Sequence, residues 1–137
     1  MLVGALAFAI VGCSSTVPGG KSVTTPTPAT VIGPVPRPTV GNPVIGKQVF
    51  LKTSCGTCHT FTPAGTSGKV GPNLDNLAEQ AKVANQGTLE QFTTTSIVNP
   101  TAYIAPGYPS GVMPANYAQK LTPTAINDLV AFLVKGP

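Results

Sequence analysis

Charge is scarce in this 137-residue chain: Asp, Glu, Lys and Arg together make up 9% of it, against about 25% in an ordinary globular protein. That argues against a recognition surface built on dense charge. The eight basic residues (Lys21, Arg37, Lys47, Lys52, Lys69, Lys82, Lys120 and Lys135) are scattered, whereas nucleic-acid-binding domains gather theirs on one face, so nucleic acid is not expected as a partner. The formal net charge of +4 biases docking at most toward a mildly acidic partner. There is no Trp, His59 is the only histidine, and Cys13, Cys55 and Cys58 are the only cysteines, which leaves an all-protein zinc site nearly without ligands. The four carboxylates, Asp75, Glu79, Glu90 and Asp128, show no paired spacing, and helix solvation is their expected role. No G-x-S-x-G, P-loop or dinucleotide fingerprint occurs, and the length allows one domain plus extensions. Catalytic side chains are few.

Residues 1–12, MLVGALAFAIVG, are uninterruptedly apolar and run into Cys13. A membrane-spanning helix needs about 20 such residues, so this run reads as an export signal, with small residues before the processing point. Ile10-Val11-Gly12-Cys13 resembles the bacterial lipoprotein signal, in which the Cys becomes the lipidated first residue, although no Lys or Arg precedes the apolar run. An ordinary secretory signal with an incidental Cys is the alternative. Residues 13–45 then form a Pro/Thr-rich linker, with Pro18, Pro26, Pro28, Pro34, Pro36, Pro38 and Pro43 among Thr, Val, Ser and Gly. Proline fixes φ and removes a donor, so neither helix nor central strand is expected there. At about 3.1 Å per residue, some 30 residues reach roughly 90 Å when stretched, enough for a disordered tether.

From Gly46 to residue 137 the chain reads as one compact all-α domain of three to five helices. Val49, Phe50 and Thr53 give an amphipathic turn leading to Cys55. Leu74, Leu77, Ala78 and Ala81 keep helical spacing, as do Leu89, Phe92 and Ile97 behind Thr88, an expected N-cap. Thr122 can cap the last helix, Pro123 suits its first position, Ile126, Leu129, Val130 and Leu133 share one face, and Gly136 follows its end. No stretch alternates like a strand. Gly/Pro-rich loops at 60–72 and 98–118 are long for a compact domain unless something holds them, and helices this few need a staple.

Cys55-Gly56-Thr57-Cys58-His59 is C-x-x-C-H, the c-type haem attachment signal. Two cysteines three positions apart on a helical turn turn both sulfurs to one side, where they can add to the two haem vinyl groups, and the next residue points its imidazole at the iron. A thioredoxin-like dithiol would need a preceding strand and a βαβ pattern, and a zinc site would need a fourth ligand. A Cys55–Cys58 disulfide would leave the long loops without a core.

Residues 46–136 resemble a class I c-type cytochrome, the monohaem family with His/Met axial ligands. The motifs come in the family's order: Gly46 and Phe50 on an N-terminal helix, C-G-T-C-H, then Gly71-Pro72-Asn73-Leu74, then Met113 before Pro114, then the C-terminal helix. Ala105 to Tyr117 (APGYPSGVMPANY) is similar to bacterial cytochrome c domains associated with haem–copper oxidases. Phe50 stands five positions before Cys55, where mitochondrial-type members usually have four. The resemblance implies a small cytochrome c fold around one covalent haem c, with Gly46 and Phe50 packing on Leu129 and Phe132, and Pro72 offering its carbonyl to His59. The distal ligand follows by elimination. No second His exists, and Met113 is the only Met besides Met1, which leaves with the signal. Pro114 pushes Met113 toward one extended pose, and a neutral thioether opposite His raises the potential. Tyr103, Tyr108 and Tyr117 can cover the haem edge or bond a propionate. With His59 and Met113 both on the iron, no coordination site stays open, which argues against an enzyme or a small-molecule substrate.

The expected function is a single-electron carrier anchored on the outer, periplasmic face of a bacterial cytoplasmic membrane. It would shuttle between membrane redox complexes: a quinol-oxidising complex, a terminal oxidase or a reaction centre. The alternatives are a fixed electron-transfer subunit of a larger complex, and an enzyme or gas sensor in which Met113 is displaced. Cys13 is the one cysteine left without a use, and two or three acyl chains on it, at about 0.8 kcal/mol per buried methylene, would anchor stably where one would not. Cys13→Ser, expressed with a competent maturation system, should move the protein from the membrane to the soluble fraction. Equal membrane retention of both forms would refute lipid anchoring.

Overall fold

A computed structural model describes residues 40–136. The expected signal, Cys13 and the linker up to residue 39 lie outside the described residues.

Asn42 starts the first helix. Its Oδ1 accepts from the N–H groups of Val44 (3.0 Å) and Ile45 (3.4 Å), and Pro43 takes the first helical position, where a missing N–H costs nothing. The helix, α1, runs Pro43–Lys52. It begins three residues before Gly46, inside the stretch expected to be helix-free. A proline that reads as spacer is here a helix starter, because an Asn precedes it.

After α1, Thr53 and Ser54 turn the chain, Ser54 in the left-handed region at φ +60°, into a single helical turn, α2 (Cys55–Cys58). The chain then departs from the all-loop expectation for 60–72. Strands β1 (His59–Phe61) and β2 (Thr66–Lys69) pair antiparallel, with Thr60 opposite Ser67, Phe61 opposite Thr66, and an irregularity beside His59. Side chains reinforce the short ladder: Thr60 Oγ1 donates to the Gly68 carbonyl (2.8 Å) and Thr66 Oγ1 to that of His59 (3.0 Å). Strands of three and four residues cannot show alternation, so the hairpin leaves no periodic trace.

Leu74–Asn76 make a 3₁₀ turn leading into α3 (Leu77–Ala84). Helix α4 (Leu89–Val98) opens with a full capping box: Gln91 N–H donates to Thr88 Oγ1, and Gln91 Oε1 accepts from Thr88 N–H. A long loop follows, ending in the single turn α5 (Tyr117–Lys120). The last helix, α6 (Pro123–Lys135), is capped by Thr122 Oγ1 on Ala125 N–H and starts with proline, as expected. Four helices of eight residues or more thus dominate the described residues, and the all-α expectation holds apart from the hairpin.

Helices α1 and α6 cross at Gly46. A methyl group there would run into the Asp128 carbonyl and come within 2.7 Å of Phe132 Cβ, so only glycine permits the approach. Phe50, Phe61 and Phe132 meet at the crossing, with ring centroids 5.2–5.9 Å apart and Phe50 and Phe132 fully buried. Each such pair adds about 0.5–1.5 kcal/mol beyond area burial. Leu129 joins the same cluster, in agreement with the expected packing of Gly46 and Phe50 on Leu129 and Phe132. Phe61 extends it to the hairpin. A second cluster of Leu77, Ala81 and Phe92 joins α3 to α4.

Two carboxylates depart from the expected role of solvating helices. Asp128 is buried, and its Oδ1 accepts from Asn42 N–H at 2.7 Å, tying the start of α1 to α6. Asp75 accepts from both the N–H and the Oγ1 of Thr62, each at 2.8 Å, clasping the hairpin. Glu79 makes an exposed ion pair with Lys82. A hydrogen bond to a charged group contributes about 1.5–3 kcal/mol, so Asp128→Ala should lower the melting temperature by several degrees, at about 4–8 °C per kcal/mol for a domain this size. Glu90→Ala, on the exposed first turn of α4, should leave it nearly unchanged. Thermal melts followed by circular dichroism check the contrast.

Candidate functional site

Thr53 and Cys55 begin the site. Thr53 Oγ1 donates to the Val49 carbonyl at the end of α1 and lies 3.2 Å from Cys55 Sγ. Cys55 and Cys58, at the two ends of α2, are free thiols, each partly buried. Burial pushes the Cys55 thiol pKa up, opposed by the Thr53 hydroxyl and aided by Cys58. A thiolate is disfavoured in this setting, whereas a neutral thioether carries no such penalty.

His59 follows as the first residue of β1. Its Nδ1 lies 2.8 Å from the Pro72 carbonyl oxygen. A carbonyl can only accept, so Nδ1 carries the proton and Nε2 is left with a free lone pair, the arrangement that orients a metal-binding imidazole. The backbone around Pro72 is fixed in turn: Gly71 N–H donates to the Cys58 carbonyl (2.8 Å), and Gln80 Nε2 donates to the Asn73 carbonyl (2.8 Å). Gly71 lies flat against the imidazole. A methyl there would stand 2.5 Å from His59 Cε1 and 2.9 Å from Nδ1, so the ring is clamped between glycine backbone and carbonyl.

Cys55, Cys58, His59, Pro72 and Met113 all line one open cleft. Its walls come from every part of the described chain: Phe50 of α1, Leu77 of α3, Phe92, Thr93, Ser96 and Ile97 of α4, Leu129 and Leu133 of α6, and the long loop 99–116. Tyr103, Tyr108 and Tyr117 line it too. Burial, and after it the nearby Cys55 and Cys58, push the Tyr117 phenol pKa up. Met113 is partly buried in the loop, between Gly111 at φ +76° and Pro114. The wall residues of α4 were readable only as helix core; Thr93 and Ser96 gave no signal that they face a site.

A cleft with two free thiols on one turn, an oriented imidazole beside them and apolar walls defines the binding domain of a covalently held redox cofactor. The chain matches the family described as Cytochrome c over residues 44–137, more than half its length, and it belongs to the cytochrome c family. A comparison with curated proteins finds no match. Members of this family bind covalent haem c and act in electron transfer, and the residues present fit that group. The thiols, free and adjacent, supply the attachment points, the Gly71 clamp leaves His59 Nε2 available, and the apolar walls suit a macrocycle.

Acidified acetone should therefore leave the haem on the polypeptide, and the intact mass should exceed that of the chain by one haem. Cys55→Ala/Cys58→Ala should release it. Gly71→Ala should lower the yield of haem-loaded protein by displacing the His59 ring, as measured by haem absorbance per polypeptide.

Proposed function

We propose that this protein is a monohaem electron carrier whose iron is held by His59 and Met113, tethered to the outer face of a bacterial cytoplasmic membrane. The observation that carries the axial pair is the shared cleft: the only imidazole of the chain, oriented by Pro72, and Met113 line the same apolar cavity. The iron of a bound haem takes up and gives up one electron. The chain's task is to keep everything else still.

Met113 contributes a neutral thioether, which favours the reduced iron and raises the potential. His59 is held by the Pro72 carbonyl, which would fix its tautomer and angle toward a bound haem. The mainly apolar walls would limit reorganisation around a bound haem as its charge changes. With His59 and Met113 both holding the iron of a bound haem, no place would be left for a substrate, and electron transfer rather than catalysis is the reading.

The tether rests on residues 1–45. Residues 1–12 act as a signal, Cys13 takes the lipid, and the Pro/Thr-rich segment spans the distance to the domain beginning near residue 46, with α1 reaching back to Pro43. Among the described residues, no helix is long and apolar enough to cross a membrane. A tether makes encounters with neighbouring quinol-oxidising complexes, terminal oxidases or reaction centres effectively intramolecular, so weak docking suffices.

Met113→Ala should keep the haem attached, lower the reduction potential and admit exogenous ligands such as carbon monoxide or imidazole. Met113→His should stay six-coordinate at a lower potential. Spectroelectrochemical titration reads both; an unchanged potential and unchanged ligand-sensitive bands in Met113→Ala would overturn the assignment.

A further inference from the structure

Thr53 carries a hydroxyl that the electron-carrier reading leaves unused. Its Oγ1 has two neighbours, the Val49 carbonyl oxygen at 2.8 Å and Cys55 Sγ at 3.2 Å. A hydroxyl has one hydrogen to give, and a carbonyl can only accept. The hydrogen therefore goes to Val49, and an oxygen lone pair is left toward the sulfur, where it accepts the Cys55 S–H. The end of α1 does not depend on this hydroxyl, because the Val49 carbonyl also accepts the Thr53 backbone N–H at 2.9 Å. A bond back to the carbonyl four residues earlier is ordinary for a Thr in a helix. The contact with sulfur is not.

We propose that Thr53 is a positioning residue for haem attachment, its hydroxyl holding the Cys55 sulfur in one rotamer ready to join the haem. The proposal rests on covalent attachment through Cys55 and Cys58 and adds the residue that prepares one of the two. In that step the Cys55 S–H bond breaks, the sulfur bonds to one carbon of a vinyl group, and the hydrogen ends on the other carbon. The double bond becomes single, nothing leaves, and no oxidant or reductant is consumed. A sulfur held in place makes more productive encounters than one free to rotate. The two cysteines are alike in sequence but not in support. Cys58 is fixed from downstream, its carbonyl accepting from Gly71 N–H at 2.8 Å. Cys55 follows Ser54, where the chain turns at φ +60°, and neither bond of the Thr53 hydroxyl goes to Cys58. Thr53 can supply a fixed point because its branched side chain has few rotamers and α1 is pinned against α6 at Gly46. Cys55 lines the cleft and Thr53 does not, so Thr53 acts through the sulfur alone.

The test uses the full-length chain, expressed with a competent maturation system, purified, denatured and treated with iodoacetamide. Alkylation marks any cysteine that has not joined haem, and peptide mass spectrometry tells Cys55 from Cys58. The reduced pyridine haemochrome band reports the vinyl groups left unreacted. Thr53→Val keeps the branched shape and the backbone bond to Val49 but loses the hydroxyl. It should leave Cys55 unreacted about threefold more often than the wild type, the scale set by one weak hydrogen bond, with Cys58 joined as before. Thr53→Ser, which restores the hydroxyl, should match the wild type. Thr94→Val removes a hydroxyl that makes the same back-bond, to the Glu90 carbonyl at 2.7 Å, on α4 and away from the cleft. It too should match the wild type.

Wild-type attachment through both sulfurs in Thr53→Val would overturn the proposal. Equal loss at Cys55 and Cys58, including loss of all haem, is what a damaged end of α1 would give, and it would overturn the proposal too. So would a Thr53→Ser chain that behaves like Thr53→Val, or a Cys55 defect in Thr94→Val. A wild-type chain in which both cysteines alkylate refutes covalent attachment itself, whereas a fully attached wild type with an indifferent Thr53 refutes only the positioning role.

Discussion

The approach of α1 to α6 at Gly46 is the constraint from which the rest of the structure follows. Because no side chain separates the helices there, Phe50 and Phe132 can bury completely against each other, and Phe61 can close the group from the hairpin. That third ring matters for the site. Phe61 ends the strand that His59 begins, so the crossing fixes the strand, and the strand places the imidazole. Phe50 and Leu129 at the crossing also face the cleft. One close contact between the ends of the domain therefore sets both the wall of the cofactor site and the position of its histidine.

The site is built with a division of labour between backbone and side chains. The side chains that touch the cofactor space are almost all apolar or hydroxylic, and polar positioning falls largely to peptide groups: the Pro72 carbonyl on His59, the Gly71 N–H on the Cys58 carbonyl. This suits a one-electron centre. Peptide groups do not titrate, so these backbone contacts to the site do not themselves change charge with pH.

What the sequence made legible follows from how local each signal is. The caps at Thr88 and Thr122, and the prolines and glycines beside them, act over three or four residues, and helices α4 and α6 lie where those residues place them. The attachment motif is equally local. By contrast, Asp128 accepts from Asn42, 86 positions away, and nothing near Asp128 distinguishes it from a solvated carboxylate. Pro43 looks like the linker prolines before it until Asn42 is seen capping the helix. The hairpin is held by Thr hydroxyls and by Asp75 across the chain, not by a repeating apolar pattern. Met113 was singled out by elimination among residue types, since the loop around it has no periodicity, and its place in the cleft is visible only in three dimensions.

The bond between Asn42 and Asp128 also has a mechanical meaning. Any pull arriving along the chain from before residue 40 reaches the folded domain first at this point. There the backbone N–H is held by a buried carboxylate on α6, and Gly41 lies against the α6 backbone. Neither Asn42 nor Asp128 lines the cofactor cleft. A pull along the chain from its N-terminal side would therefore meet the longest helix in the described chain at this contact.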